Sequence, residues 1–270
     1  MKLLSKILNF VVYTTAKFKI DDSHGLSHSL DVLKYSNLIY ELEIIKRPYL
    51  KDQENIIYIA SALHDMCDKK YMNEKEGLDL IQNFLQDNIK SKYVFPILEE
   101  SEPDTLRVFP ILEASEPDTL RVFPILEASE PDTLRVFPIL EESEPEKVAI
   151  FSQKEIDIIL KIIETMSYSK VKKNGFPDLD IYQWAYHIVR EADLLAGYNF
   201  ERAMMYHMYI KNENLENAYI DTKEMFDRRV FNHNTDNLFL TKYGKNKSIK
   251  LHKKAINDIN QWKKLCLDIT

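Results

Sequence analysis

The chain has 270 residues, of which 45 % are apolar, and a net charge of −7. It is long enough for one sizeable core, and its five glycines are too few for a sheet protein built on tight turns. Two cysteines far apart, Cys67 and Cys266, exclude a disulfide framework and fit reduced thiols in a cytoplasmic protein.

The chain opens on MKLLSKILNFVVYTTAKFKI, in which Lys2 followed by apolar residues has the look of a signal peptide. Lys6 and Asn9 interrupt that run. Leu3, Ile7, Phe10, Val11, Thr14 and Phe18 recur at steps of three and four, which predicts an amphipathic core helix. No later segment has the apolar length needed to span a bilayer. Residues 27–45 are predicted helical, with His28, Val32, Tyr35 and Ile39 on one stripe, and so are residues 54–66, with His64 near the end. Further helices are expected at 74–89 and 154–166. A long one is expected from about Ile181 through Gly197 and on toward Tyr209, and a last one around 248–264. The stretch 221–247 is polar and expected to be irregular, with Gly244 as a break; DRRVFNHNTD at 227–236, with Arg228, Arg229 and His233, is expected as a polar surface loop, a substrate loop being the alternative.

Residues 94–147 are a tandem repeat of 14-residue period, VFPILEESEPDTLR in its first unit. Proline recurs every seventh residue from Pro96 to Pro145, which rules out a continuous helix. Two readings stay open: short strands turning at Ser-Glu-Pro-Asp, or helices of about two turns opened by a capping box at Ser101-Glu102-Pro103-Asp104. The repeat carries 14 acidic and 4 basic residues, a net of −10, so the rest of the chain is +3. A mildly basic body suits a phosphate-bearing ligand but gives no strong nucleic-acid signal.

Three places carry chemistry. His24 and His28 lie four apart in DDSHGLSHSLDVL, His64 and Asp65 are adjacent in ASALHDMCDKKY, and Asp193 lies in VREADLLAGYNFER within an apolar helical stretch. Two imidazoles and two carboxylates can hold one divalent cation in octahedral geometry with two positions open. Such a cation acidifies water and neutralises charge in phosphoryl transfer.

The order H…HD…D, with its three local contexts, resembles the HD superfamily of metal-dependent phosphohydrolases over roughly residues 21–70 and 155–210. The resemblance implies an all-α HD-domain helical bundle interrupted by the acidic insert. Its first part would be residues 1–92, the insert 93–147, and the second part with the C-terminal helices 148–270. It implies His28, His64, Asp65 and Asp193 as ligands of one divalent metal ion (Mn, Fe, Co, Ni, Zn or Mg). His24 stands beside them to contact substrate or orient water, and Asp68 occupies the position of an acid that handles the attacking water in the alarmone-cleaving branch. Lys69, Glu164, Lys170 and Arg190 are pocket candidates for a small phosphorylated substrate, a nucleotide or a relative; Arg190 is also a partner for Asp193. Some relatives carry a His where Met166 stands here, which removes an extra ligand. Dimetal phosphodiesterases and oxygenases need more histidines between the doublet and the last Asp, and only His187 falls there. Six residues before Asp193, it lies about 240° around the helix, on another face. The alternative outside enzymes is a scaffold that uses the repeat as its interaction surface.

Overall fold

A computed structural model describes residues 3–87 and 151–267. The chain divides into two units, Met1–Ser91 with Ala149–Thr270, and Lys92–Val148. The second lies outside the described residues, and with it both readings of the repeat. Among the described residues every regular element is helical. In chain order they are α1 (Leu3–Phe18), α2 (Leu26–Glu43), α3 (Glu54–Leu63), α4 (Glu74–Asp87), α5 (Gln153–Thr165), α6 (Tyr168–Asn174), α7 (Gln183–Ala196), α8 (Phe200–Tyr209), α9 (Leu215–Arg228) and α10 (Lys242–Leu267). Short 3₁₀ turns lie at Pro48–Gln53, Asp180–Tyr182 and Val230–Asn232.

α1 is the amphipathic helix its periodicity predicts, with Ile7, Phe10, Val11 and Thr14 buried. No described helix is long and apolar enough to cross a membrane. α7 is the central helix: from Ala185 to Ala196 every residue except Asp193 is buried. A helix covered all round needs apolar or small residues on every face. Ala185, Ala192 and Ala196 supply the small ones, and α2 and α3, which pack against α7, add Ser29, Ser36, Ala60 and Ser61. Small side chains let helix axes approach, and the Ser36 and Ser61 hydroxyls meet at 2.6 Å across the α2–α3 contact.

Four sequence expectations are corrected. α3 stops at Leu63, so His64 and Asp65 lie in the turn that follows rather than in the helix. The long helix predicted past Gly197 breaks after Ala196. The Asn199 side chain accepts from the Arg202 amide and starts α8 afresh, because a capping side chain competes with continuation of the backbone ladder. The stretch 221–247 is mostly ordered helix, and Gly244 lies within α10 instead of breaking it. A Cβ at 244 would collide with the Glu191 carboxylate and stand 2.9 Å from Thr241 Oγ1, so glycine is there for close approach. The 227–236 segment is not a polar surface loop throughout: Val230 and His233 are buried.

α4 packs against α5, and the Gln86 amide donates to Gln153 Oε1 at 3.0 Å. The end of the first described stretch therefore lies beside the start of the second.

Candidate metal centre

Three elements deliver the site. α2 brings His28 near its first turn, the turn after α3 brings His64 and Asp65, and α7 brings Asp193. The turn solves a geometric problem. Neighbouring residues in a regular helix point about 100° apart, whereas here Met66 N donates to Leu63 O and Asp68 N to Asp65 O, tightening the backbone. His64 Nε2 and Asp65 Oδ2 then meet at 3.3 Å. Glycine at 77 lets α4 press on this turn, since a Cβ there would stand 2.6 Å from Cys67 Cα.

His28 Nε2 lies 3.1 Å from His64 Nε2 and 3.3 Å from Asp65 Oδ2. Asp193 Oδ1 is 3.4 Å from His28 Nε2 and 3.5 Å from His64 Nε2. His28, His64 and Asp65 form one group of possible metal ligands; Asp193 stands outside that group of three, within reach of both imidazoles. Metal–ligand bonds of about 2.1 Å put neighbouring ligands about 3.0 Å apart in an octahedron and about 3.4 Å apart in a tetrahedron. The separations of 3.1–3.3 Å among His28, His64 and Asp65, and of 3.4–3.5 Å from Asp193 to the imidazoles, lie in the range for ligands of one small cation.

Two details support that fit. His64 Nδ1 is 2.9 Å from the Ser61 carbonyl, so Nδ1 carries a proton and donates it, which leaves Nε2 as the atom that would face a metal. Asp65 Oδ2 is buried and makes no hydrogen bond. Burial pulls the His28 imidazole down to about 4. Burial acts in the same direction on His64, but Asp65 and Asp193 outweigh it and hold that imidazole well above its ordinary value. Both carboxyls stay far below the usual range: burial opposes this, and the imidazoles override it.

A second layer lines the mouth. His24 Nδ1 meets Ser23 Oγ at 2.6 Å and the Tyr71 hydroxyl at 3.1 Å, and its Nε2 meets Lys70 Nζ at 2.8 Å. Asp68 Oδ2 lies 4.0 Å from His24 Nε2 and 3.6 Å from Lys70 Nζ. Tyr71 also donates to Asp21. Lys69 is exposed on the same turn.

The remaining candidates lie elsewhere. Glu164 pairs with Lys161, and Lys170 is taken up by Glu74 and the Glu164 carbonyl. No hydrogen bond or ion pair among the described residues joins either to the four central groups. Arg190 is 1 % exposed; it donates to the Leu238 carbonyl and lies over the Phe176 ring, not on Asp193. Met166 is a core residue, and His187 turns to Gln183 and Trp184 instead of the centre.

Sequence reasoning missed Arg202. Its guanidinium donates to the Ser23 carbonyl at 2.6 Å and the Ala196 carbonyl at 3.4 Å, tying the segment before α2 to the end of α7. The only signal was an arginine nine residues after Asp193. A second group, His207, Glu213 and Asp221, also has metal-ligand chemistry. His207 Nδ1 already bonds Glu213 at 3.1 Å, and Lys211 Nζ lies 3.9 Å from both carboxylates, so these charges are satisfied within the chain. No family model matches the chain, and no curated protein or solved structure matches it significantly.

Proposed function

We propose that this chain is a metal-dependent phosphohydrolase of the HD type, hydrolysing a phosphate ester of a nucleotide or related small molecule. The observation that carries the reading is the meeting of His28, His64 and Asp65 at 3.1–3.3 Å, with Asp193 3.4–3.5 Å from both imidazoles, the four coming from three separate elements. These four residues would hold one divalent cation, which supplies an acidified water and neutralises phosphoryl charge when bound. Around it each residue of the chain has a task. Ser61 fixes the tautomer of His64. Arg202 fixes the backbone that presents His24. Asp68 stands where a carboxylate can accept a proton from an attacking water, and Lys70 is placed to meet a phosphate oxygen, held by His24 and Asp68. The proposal includes the HD-domain bundle with the 93–147 segment as an insert.

The test is metal content of the purified protein, with a hydrolysis screen over nucleotides in Mn, Fe(II), Co, Ni, Zn and Mg. Near-stoichiometric metal and turnover are expected, both lost in Asp65→Ala, since removing one carboxylate leaves too few ligands. Metal-free protein after supplementation, or full metal and turnover in Asp65→Ala, would refute the assignment.

A further inference from the structure

At the far end of α2, about 22 Å of helix rise from His28, two adjoining clefts form between α2 and the start of α10. One, of about 330 Å³, is lined by Lys46, Arg47, Trp184, Lys242 and Lys245. The other, of about 460 Å³, continues along Lys242, Tyr243, Lys247 and Lys250, with Leu42 and Ile45 as an apolar shelf. They share Glu43, Lys46, Lys242 and Asn246, so they make one groove.

Its charge is not balanced. The buried Glu43 carboxylate answers Lys46 and Arg47 alone. Lys242, Lys245, Lys247 and Lys250 belong to no ion pair among the described residues. Lys247 merely lies 5.9 Å over the Tyr35 ring. All four stand in the first nine residues of α10, which has no acidic residue in its first turn. A helix start carries the positive end of the macrodipole and favours Asp or Glu, so Lys242 and Lys245, in the first turn of α10, stand where the backbone field disfavours a cation. Fold stability alone does not explain four of them. The groove also sets aromatic rings beside the cations: Tyr243, and Trp184, whose face carries the Arg47 guanidinium at 3.3 Å.

We propose that this groove binds single-stranded nucleic acid, the phosphates following the lysine row and the bases resting on the aromatic and apolar shelf. The cations are strung along an open track instead of converging on one point, which suits a strand better than a mononucleotide. The chain as a whole is −7, so bulk attraction does not produce this binding; it is local to the groove. The site is separate from the metal centre and does not rest on the hydrolase reading.

Fluorescence anisotropy of an end-labelled oligothymidylate of about twelve nucleotides, titrated with the full chain in EDTA, tests this. Saturable binding is expected. It should weaken about fifty-fold between about 50 mM and about 200 mM salt, because four phosphates neutralised on a single strand give a logarithmic slope near −3. The Lys242→Glu/Lys245→Glu/Lys250→Glu variant should bind at least about thirty-fold more weakly, and the matching Lys→Arg variant within about two-fold of wild type. Four results would overturn the proposal. They are no saturable binding, wild-type affinity in the glutamate variant, displacement of the strand by an equal concentration of ATP, or capture by anionic vesicles without binding of the oligonucleotide.

Discussion

Thr241 ties the central helix to the C-terminal one, and Thr241→Val isolates that tie. Its hydroxyl donates to Glu191 Oε2 at 2.6 Å and accepts from Gly244 N at 2.9 Å, so one oxygen both caps α10 and meets a buried carboxylate on α7. Thr241 is 1 % exposed and Glu191 0 %, so no water replaces either bond. The remaining amides of Leu240 and Thr241 still donate to Glu191. Valine keeps the shape. Loss of an N-cap costs about 1 kcal/mol, and loss of a buried hydrogen bond to a charged group about 1.5–3 kcal/mol. The expected loss is about 2–4 kcal/mol, or about 6–12 °C in Tm for a unit of this size. Urea unfolding followed by far-UV circular dichroism measures it. In a double-mutant cycle with Glu191→Gln the two changes should couple by about 1 kcal/mol or more. A destabilisation below about 0.5 kcal/mol, or strict additivity, would refute the idea that this hydroxyl joins the two helices.

Asp68→Asn should retain metal yet lower turnover about 100-fold, the scale of a lost general base; unchanged kinetics at full metal content would demote Asp68 to a partner of Lys70. Gly77→Val should destabilise by about 2 kcal/mol or more through overpacking against Cys67, and thermal melts check it; a melt within experimental error of wild type would show that α4 does not press on the turn. His187 and His233 are buried and pushed down to about 3, by burial first and then by Arg190 and Arg47 for the former and Arg229 for the latter. Each is neutral when folded, while the unfolded chain takes up a proton below the ordinary value of 6.5. Their contribution is complete above that pH and falls away toward pH 3, by up to about 2 kcal/mol each at pH 5. The slope of stability against pH should flatten in His233→Gln, and an unaltered slope would count against this origin.

The residues of the candidate site were legible in part because helical periodicity is a local property. The stripe of His28, Val32 and Ile39, the doublet after an apolar run, and an acid in an otherwise covered helix all depend on spacing within one element. What was not legible depends on contacts between elements. Gly244 has the composition of a break, and glycine costs a helix about 1 kcal/mol against alanine, but approach to Glu191, far away in sequence, makes it the residue that fits. His233 sits in a polar string yet is packed among Tyr168, Tyr198 and Phe239. Arg202 braces a carbonyl 179 positions earlier, which no local pattern encodes. The lysines of α10 read as ordinary surface until the end of α2 is set beside them.

The Gln86–Gln153 contact bears on how this gene can change. Unequal copying of the repeat would add or remove whole 14-residue units between Gln86 and Gln153, which lie in contact. For a flexible connection the closure cost of one further unit is about 0.2 kcal/mol, far below what selection on stability registers. Copy number is then free to drift among related genes, while a single-residue insertion inside α2 or α7 would rotate His28 or Asp193 away from its partners. Length should therefore be nearly neutral in the repeat and fixed to the residue in the helices, and comparison of natural variants should find length polymorphism confined to the former.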